Sequence, residues 1–294
     1  MSVVSSNKVV FCEGKQNSLD YKLLERVLET LPSERTTIVS AGAKFTLAVF
    51  AQGFFYPSEI GTQRYLVFRD RDFDVRPTAN IQLLQLSNRL GGRFVFLTHR
   101  ACVENYLIDP ILIDSYWQAK YIEKQQNPIS RWGHGNSPGV EVISEWIKAS
   151  ARDIQDYQAV RWALGDLLQF SANRSQLKTT WTGKSGKLPN SLDLAFCQTQ
   201  AIQLITNFIQ DVSTVTIDRF EDSLASYQQL FAASEFWRDK QYLIWFNGKD
   251  IQKAMQRREP RYIPIESFYN WGISQLDINR HPDLIELQNR MVEL

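Results

Sequence analysis

Tyr65-Leu66-Val67-Phe68-Arg69-Asp70-Arg71-Asp72-Phe73-Asp74 runs from a short apolar stretch into three acids within five residues. Four consecutive apolar residues, two of them aromatic and one β-branched, read as a strand buried on both faces. Acids immediately beyond such a strand lie at its carboxyl end, where open parallel sheets collect functional groups. Three more stretches have the same texture. Lys8–Cys12 ends in Glu13-Gly14, Thr36–Ser40 ends in Ala41-Gly42, and Phe94–Leu97 runs into Thr98-His99-Arg100. Helical spacing separates them. Leu23, Leu24, Val27, Leu28 and Leu31 mark a helix over 19–31 stopped by Pro32, and shorter helices are expected over 44–52 and 78–90, the latter ended by Gly91-Gly92. This βαβαβαβ rhythm predicts an α/β domain over 1–126, with a mainly parallel, Rossmann-like sheet and helices on both faces.

The texture changes beyond the Pro- and Gly-rich segment 127–139, which reads as a linker. Amphipathic stretches over 140–149, 154–170, 192–210, 217–232 and 235–246 predict a mainly helical second domain over 140–294. Its tryptophans, Trp162, Trp237, Trp245 and Trp271 among them, are expected in the helical core. Between two of these helices, 174–187 reads as a flexible basic loop carrying Lys178, Lys184 and Lys187.

Composition narrows the function classes. The 294 residues are 44% hydrophobic and 22% charged, values that exclude a disordered or fibrous chain. With 33 Lys and Arg against 32 Asp and Glu, the formal charge of +1 excludes a generally basic nucleic-acid coat and leaves only local patches. No apolar run reaches 18 residues and no signal-peptide pattern is present, so a cytoplasmic protein with no membrane association is expected. Cys12, Cys102 and Cys197 lack CxxC spacing, which points to a reducing compartment and away from a disulfide framework or a thiolate zinc site.

The acids carry the chemistry. Glu13 follows the first strand, Asp70, Asp72 and Asp74 the third, and Glu104 the fourth. Carboxylates gathered on one sheet edge repel one another unless a cation neutralises them. An oxygen-rich set without a His/Cys cluster favours a hard ion, Mg²⁺ or Mn²⁺, suited to phosphoryl chemistry.

These residues resemble the Toprim pattern of topoisomerases, primases and old-family nucleases. In that pattern an apolar strand ends in Glu-Gly (here Glu13-Gly14), a Gly follows the second strand (Gly42), and Asp-x-Asp follows the third (Asp70-Arg71-Asp72). The longer Asp-Arg-Asp-Phe-Asp, with Val103-Glu104-Asn105-Tyr106-Leu107 after it, is similar to a branch that includes the Toprim effector subunits of the PARIS anti-phage systems. The resemblance covers 8 to about 110. Beyond 150 it rests on helical texture, length and Phe246-Asn247-Gly248-Lys249-Asp250. It implies Glu13, Asp70, Asp72, Asp74 and Glu104 as metal ligands, with Glu13 also a base and Lys249 a stabiliser of phosphate charge. Two positions depart from the old-family pattern. Asn17 stands where a second Glu is common, and Cys102 stands where a Ser is usual. The resemblance further implies a toxic RNA nuclease with transfer RNA as the target class, acting as a homodimer and restrained by a separate ABC-type ATPase.

On this reading Asp70 and Asp72, with Glu104, hold Mg²⁺ or Mn²⁺, and Glu13 takes the proton from the nucleophile. Lys249 or an Arg of the run Arg257, Arg258 and Arg261 faces the phosphate, and Lys178, Lys184, Lys187 and that run bind the nucleic-acid backbone. Competing patterns fit less well. Haloacid-dehalogenase-type phosphatases place Asp-x-Asp after the first strand, glycosyltransferases leave Glu13-Gly14 unexplained, and no phosphate-binding P-loop is present. The non-catalytic alternative is a Toprim-like binding module, and a second alternative is a DNA-processing nuclease. His99 reads as hydrogen-bonded structure at a strand end, Cys102 as a small packed residue, and Asn105 as the residue that fixes the turn before Tyr106.

Overall fold

The computed structural model describes residues 8–29, 36–42, 64–86, 95–127, 129–170, 178–209, 215–259 and 263–294. They fall into two compact units. One comprises Met1–Arg71, Pro77–Leu107 and Ile265–Leu294, the other Asp72–Arg76 and Ile108–Pro264.

The first unit is built on a five-stranded sheet. Its strands are β1 (Lys8–Cys12), β2 (Thr36–Ser40), β3 (Arg64–Arg69), β4 (Leu84–Leu86) and β5 (Val95–Leu97), in the spatial order β2-β1-β3-β5-β4. The first four in that order are parallel, as the apolar strand texture predicts. Cys12 is registered with Ser40 and Phe68, and Arg69 with Leu97, so β1, β2, β3 and β5 end at one edge. Val9, Phe11, Ala41 and Val67 form one apolar cluster of the sheet, to which Val39, Tyr65 and Val95 add. Burial of such side chains supplies roughly 1.5–3 kcal/mol each.

The turn after β1 explains the Glu-Gly pair. Gly14 has φ +90° and exchanges backbone hydrogen bonds with Gly42 at 2.7 and 3.2 Å. A β-carbon at position 14 would lie 2.6 Å from Ser18 Oγ, the hydroxyl that caps α1 (Leu19–Leu28). Only glycine accepts both the left-handed backbone and that close approach.

Two sequence expectations change in this unit. Residues 78–90 are not a helix in their described part. The chain is irregular to Leu83 and then forms β4, antiparallel to β5, with Gln85 opposite Phe96. Sheet pairing and burial of Leu83 and Leu84 override helical propensity, and the Leu83 amide donates to Glu286 Oε2 at 2.9 Å. The second change concerns the domain boundary. The C-terminal helices α11 (Ile265–Gln275) and α12 (Pro282–Glu293) belong with the sheet rather than with 140–264, because both pack on α1. Arg26 Nε donates to Leu276 O at 3.1 Å, and Gln288 Nε2 donates to Val27 O at 2.9 Å. Between β5 and the boundary lies a single helical turn, α2 (Glu104–Leu107). The helix expected over 44–52 lies outside the described residues.

The second unit is helical. It contains α3 (Pro110–Gln126), α4 (Val140–Asp153), α5 (Gln155–Phe170), α6 (Leu194–Ile209), α7 (Ile217–Ala232), α8 (Ser234–Arg238), α9 (Tyr242–Trp245) and α10 (Gly248–Arg258). The stretch 235–246 is broken into α8 and α9 because Lys240 takes φ 52° between them. α5 is the centre. Its buried Trp162 packs on Phe73, Tyr227 and Trp245, and its indole N–H donates to Trp245 O at 3.0 Å. Trp237 is also buried, so both join the core as expected.

Two segments expected to be loose are fixed. In 127–139, Trp132 is buried, Ser137 Oγ donates to Asp114 Oδ1 at 2.5 Å, and Gly135 O accepts from Trp117 Nε1 at 2.9 Å. The basic loop is likewise anchored from Thr179 to Pro189, because a buried charge pair recruits its backbone. Arg161 is paired with Asp250, and Arg161 Nε donates to Thr179 O at 3.1 Å while Arg161 Nη2 donates to Ser185 Oγ at 2.8 Å. Asp250 Oδ1 accepts from the Gly186 amide at 2.9 Å. Residues 174–177 lie outside the described residues.

Gly165 of α5 sits where the chain of Phe73 crosses it. A β-carbon there would fall 2.6 Å from Phe73 O and 3.0 Å from Phe73 Cβ. Gly165→Ala, which elsewhere would favour a helix, is therefore expected to destabilise the protein by about 1–3 kcal/mol. Chemical denaturation of the variant measures this, and an unchanged or raised midpoint would refute the close approach.

Candidate functional site

The carboxyl edge of the sheet gathers a group of three potential ligands. Asp70 extends from β3, while Cys102 and Glu104 come from the loop and turn after β5. One ligand atom from each lies within 4.8 Å of the other two, and all three residues are buried. Local hydrogen bonds set this arrangement. The Val103 amide donates to Asp70 Oδ1 at 2.9 Å, tying the loop after β5 to the end of β3. Asn105 Oδ1 accepts from both the amide and the thiol of Cys102, each at 3.1 Å, so Asn105 fixes the turn as its residue type suggested. The carbonyl of Asn105 in turn accepts from Arg100 Nη1 at 2.7 Å. Beneath the site, Arg71 is fully buried. Its amide donates to Thr98 Oγ1 at 3.0 Å and its Nε to His99 O at 3.1 Å.

Two buried carboxylates this close are a costly pair when both are ionised. At an effective dielectric of about 20, unit charges that far apart repel by roughly 3–4 kcal/mol, before any loss of hydration. A nearby cation relieves such repulsion. The donor set fits a divalent cation, with Asp70 and Glu104 as its hard ligands. The Cys102 thiol donates a hydrogen bond to Asn105 Oδ1 and offers a soft sulfur. Replacing a hydroxyl oxygen with sulfur shifts the preference from Mg²⁺ towards Mn²⁺. Sequence reading treated Cys102 as packing, and only its place two residues before Glu104 hinted at more.

The other acids are placed differently. Glu13 stands half-buried at the end of β1, on the same edge, but is not in the group of three. Neither are Asp72 and Asp74. Asp72 opens the short piece 72–76 that belongs to the helical unit. There it adopts φ 50° and accepts from Asn247 Nδ2 at 3.3 Å. Asp74 is buried, and its carbonyl accepts from Gln169.

Asn247 links Asp72 to α10. Its Oδ1 caps the helix by accepting from the Lys249 amide at 3.1 Å, and its own amide donates to Gln158 Oε1 at 3.0 Å. Lys249 is half-buried in the first turn. Lys249, Lys253 and Arg257 are spaced four apart and share one face of α10. The anchored loop lies against that face. A β-carbon at Gly186 would be 3.5 Å from Lys249 Cβ and 3.9 Å from Lys253 Cγ, and Arg257 Nη2 donates to Pro189 O at 2.9 Å. Lys178, Lys184 and Lys187 of the loop are exposed. The loop backbone thus lies against a helix face that carries Lys249, Lys253 and Arg257, of which Lys253 was not named from the sequence. Arg258 points elsewhere, to Asp153 at 2.5 and 2.7 Å. Arg261 lies outside the described residues.

No protein-family model matches this chain, and no curated protein is significantly similar to it. Among the described residues, no helix is long and apolar enough to cross a membrane.

His99, just before the site, is buried and takes the structural role expected of it. Its amide donates to Asp283 Oδ2 at 3.2 Å, and its Nδ1 accepts a long bond from the Gln82 amide at 3.5 Å. Asp283 also accepts from the hydroxyl of buried Tyr106, whose pKa burial and that carboxylate push well up. Nε2 of His99 has no hydrogen-bond partner among the described residues. Burial lowers its pKa from the ordinary 6.5, with Asp283 opposing and Arg71 adding to the shift. Above pH 6.5 the ring is neutral in both folded and unfolded chains and costs nothing. Below it the unfolded chain takes up a proton that the folded chain resists, so stability falls with pH by up to about 1.4 kcal/mol per unit. His99→Asn should flatten the loss of stability between pH 7 and pH 5. Parallel slopes for the two proteins in urea titrations would count against the buried neutral ring.

Proposed function

We propose that this chain is a metal-dependent nuclease that hydrolyses phosphodiester bonds, with RNA as the favoured substrate. One observation carries this reading. Asp70 and Glu104, from different strands' ends, converge as buried carboxylates at the carboxyl edge of a parallel sheet. The Toprim resemblance of residues 8–110, which rests in part on the same acids, is in line with it, as is the cationic face of α10.

Asp70 and Glu104 would hold the divalent cation, with Glu13 on the neighbouring strand end available to it or to the nucleophile. When bound, such an ion lowers the pKa of water and offsets charge on a phosphoryl group. The protein's own contributions are the following. The Val103 amide and the Asn105 turn hold Asp70, Cys102 and Glu104 in place before substrate arrives, which spares their ordering during the reaction. Glu13 accepts the proton of the attacking water. Lys249, Lys253, Arg257 and the loop lysines contact backbone phosphates, which requires clustered cations rather than a high net charge. Asp72 acts by positioning Asn247 and the start of α10. A homodimer restrained by a separate ABC-type ATPase, in a defence setting, follows from the resemblance alone.

The test is cleavage of structured RNA by the purified chain with Mg²⁺ or Mn²⁺, alongside Mn²⁺ binding by calorimetry. Asp70→Asn and Glu104→Gln should each lower cleavage at least a hundredfold and weaken Mn²⁺ binding. Glu13→Gln should lower cleavage more than metal binding. Cys102→Ser should retain activity and raise the Mg²⁺ to Mn²⁺ activity ratio. Lys253→Glu should weaken RNA binding and lessen its salt dependence, with Mn²⁺ affinity unchanged. Cleavage that survives both Asp70→Asn and Glu104→Gln would end the metal-nuclease reading. RNA binding with no cleavage under any metal would favour the binding module.

A further inference from the structure

The helical unit carries a second concave site that the nuclease reading does not use. A cleft of about 350 Å³ is lined by Trp117 of α3, His134 and Pro138 of the following segment, Val142, Ile143 and Trp146 of α4, and Glu259, which ends α10. That volume lies in the range of small-ligand sites. Three half-buried aromatic rings contribute walls. The rings of Trp117 and His134 stand at 63° with centroids 5.5 Å apart, so their faces turn in different directions. Behind them, buried Trp132 holds both rings by edge contacts, at 6.0 Å to Trp117 and 4.7 Å to His134. The indole N–H of Trp117 is fixed on Gly135 O at 2.9 Å. The walls are therefore set by their own packing.

The charge of the lining is one-sided. Among the described residues, Glu259 is the one Asp, Glu, Lys or Arg that lines the cleft, and it forms no ion pair. Ring faces are negative and attract cations, most strongly tryptophan. A carboxylate beside such faces adds a charged hydrogen-bond acceptor. Among the described residues no lysine or arginine lines the cleft to meet a nucleotide's phosphate, so a nucleobase fits less well. The rim is apolar, with Val142 55% exposed and Pro138 also exposed, a surface suited to the backbone flanking a side chain rather than to a free polyamine.

We propose that this cleft binds a basic side chain, arginine or lysine, presented by a protein partner. The proposal is independent of the nuclease reading. Calorimetry on the full chain tests it with a blocked pentapeptide, Ala-Ala-Arg-Ala-Ala, its lysine and citrulline counterparts, spermidine and guanosine monophosphate. The arginine or lysine peptide should bind, and the citrulline peptide, equal in shape but uncharged, should bind at least tenfold more weakly. Glu259→Gln, at an exposed position, should cost about tenfold in affinity without changing the melting temperature. Trp146→Leu should abolish binding, with an unchanged circular-dichroism spectrum showing that the variant folds. Equal binding of arginine and citrulline peptides would overturn the proposal, as would no effect of Glu259→Gln or no peptide binding at millimolar concentration. Trp146-dependent binding of guanosine monophosphate or spermidine that is tighter than that of the peptides would overturn it too, by assigning the cleft to a nucleobase or a free polyamine.

Discussion

The hydrogen bond from the Val103 amide to Asp70 Oδ1 fixes the end of one strand to the loop that leaves its neighbour. A carboxylate is buried there only because a backbone donor meets it. Once Asp70 is held, the turn from Cys102 to Asn105 can bring Glu104 to it at the cost of placing two acids in a site with little water. Packing gives no return on that arrangement, since apolar residues of similar size would do as well or better. Asp70, Cys102 and Glu104 could together hold a metal ion, the feature on which the proposed function rests.

A similar economy governs the helical unit. Arg161 and Asp250 are both buried, and such a pair is tolerable only when every remaining donor and acceptor is used. Thr179, Ser185, Gly186 and Gln158 provide those partners. The consequence is that a glycine-containing, lysine-rich segment is held against α10 instead of swinging free. The loop backbone then lies beside the face of α10 that carries Lys249, Lys253 and Arg257. Asn247 extends the same network to Asp72.

The acids of the Asp-x-Asp run illustrate how neighbours in sequence can serve different structures. Asp70 completes β3 and enters the buried group, whereas Asp72, in a left-handed turn, passes to the helical unit with Phe73. Phe73 is the reason the chain makes this excursion. Its ring packs on Trp162 and lies under Arg161, at 5.2 and 4.1 Å, and its backbone needs the bare surface of Gly165. A motif that looks like a set of equivalent ligands therefore also does the work of anchoring helices.

What the sequence alone determined was local or periodic. Apolar runs of four or five residues defined β1, β2, β3 and β5. Helical periodicity defined α1 and α4 to α7 with small errors at their ends. Of the acids named from the sequence, Asp70 and Glu104 meet in the buried group, while Glu13, Asp72 and Asp74 do not join it. Only the tertiary structure decided the rest. Residues 84–86 have too few side chains to declare a strand, and β5 makes them one by pairing. α11 and α12 follow the helical half in sequence but pack with α1, a contact across some 240 residues that no local pattern encodes. Cys102 becomes a candidate ligand, and Trp117, His134, Trp146 and Glu259 become one cleft, for the same reason. Each is an ordinary residue in its own segment, and its chemistry arises from neighbours that only long-range packing supplies.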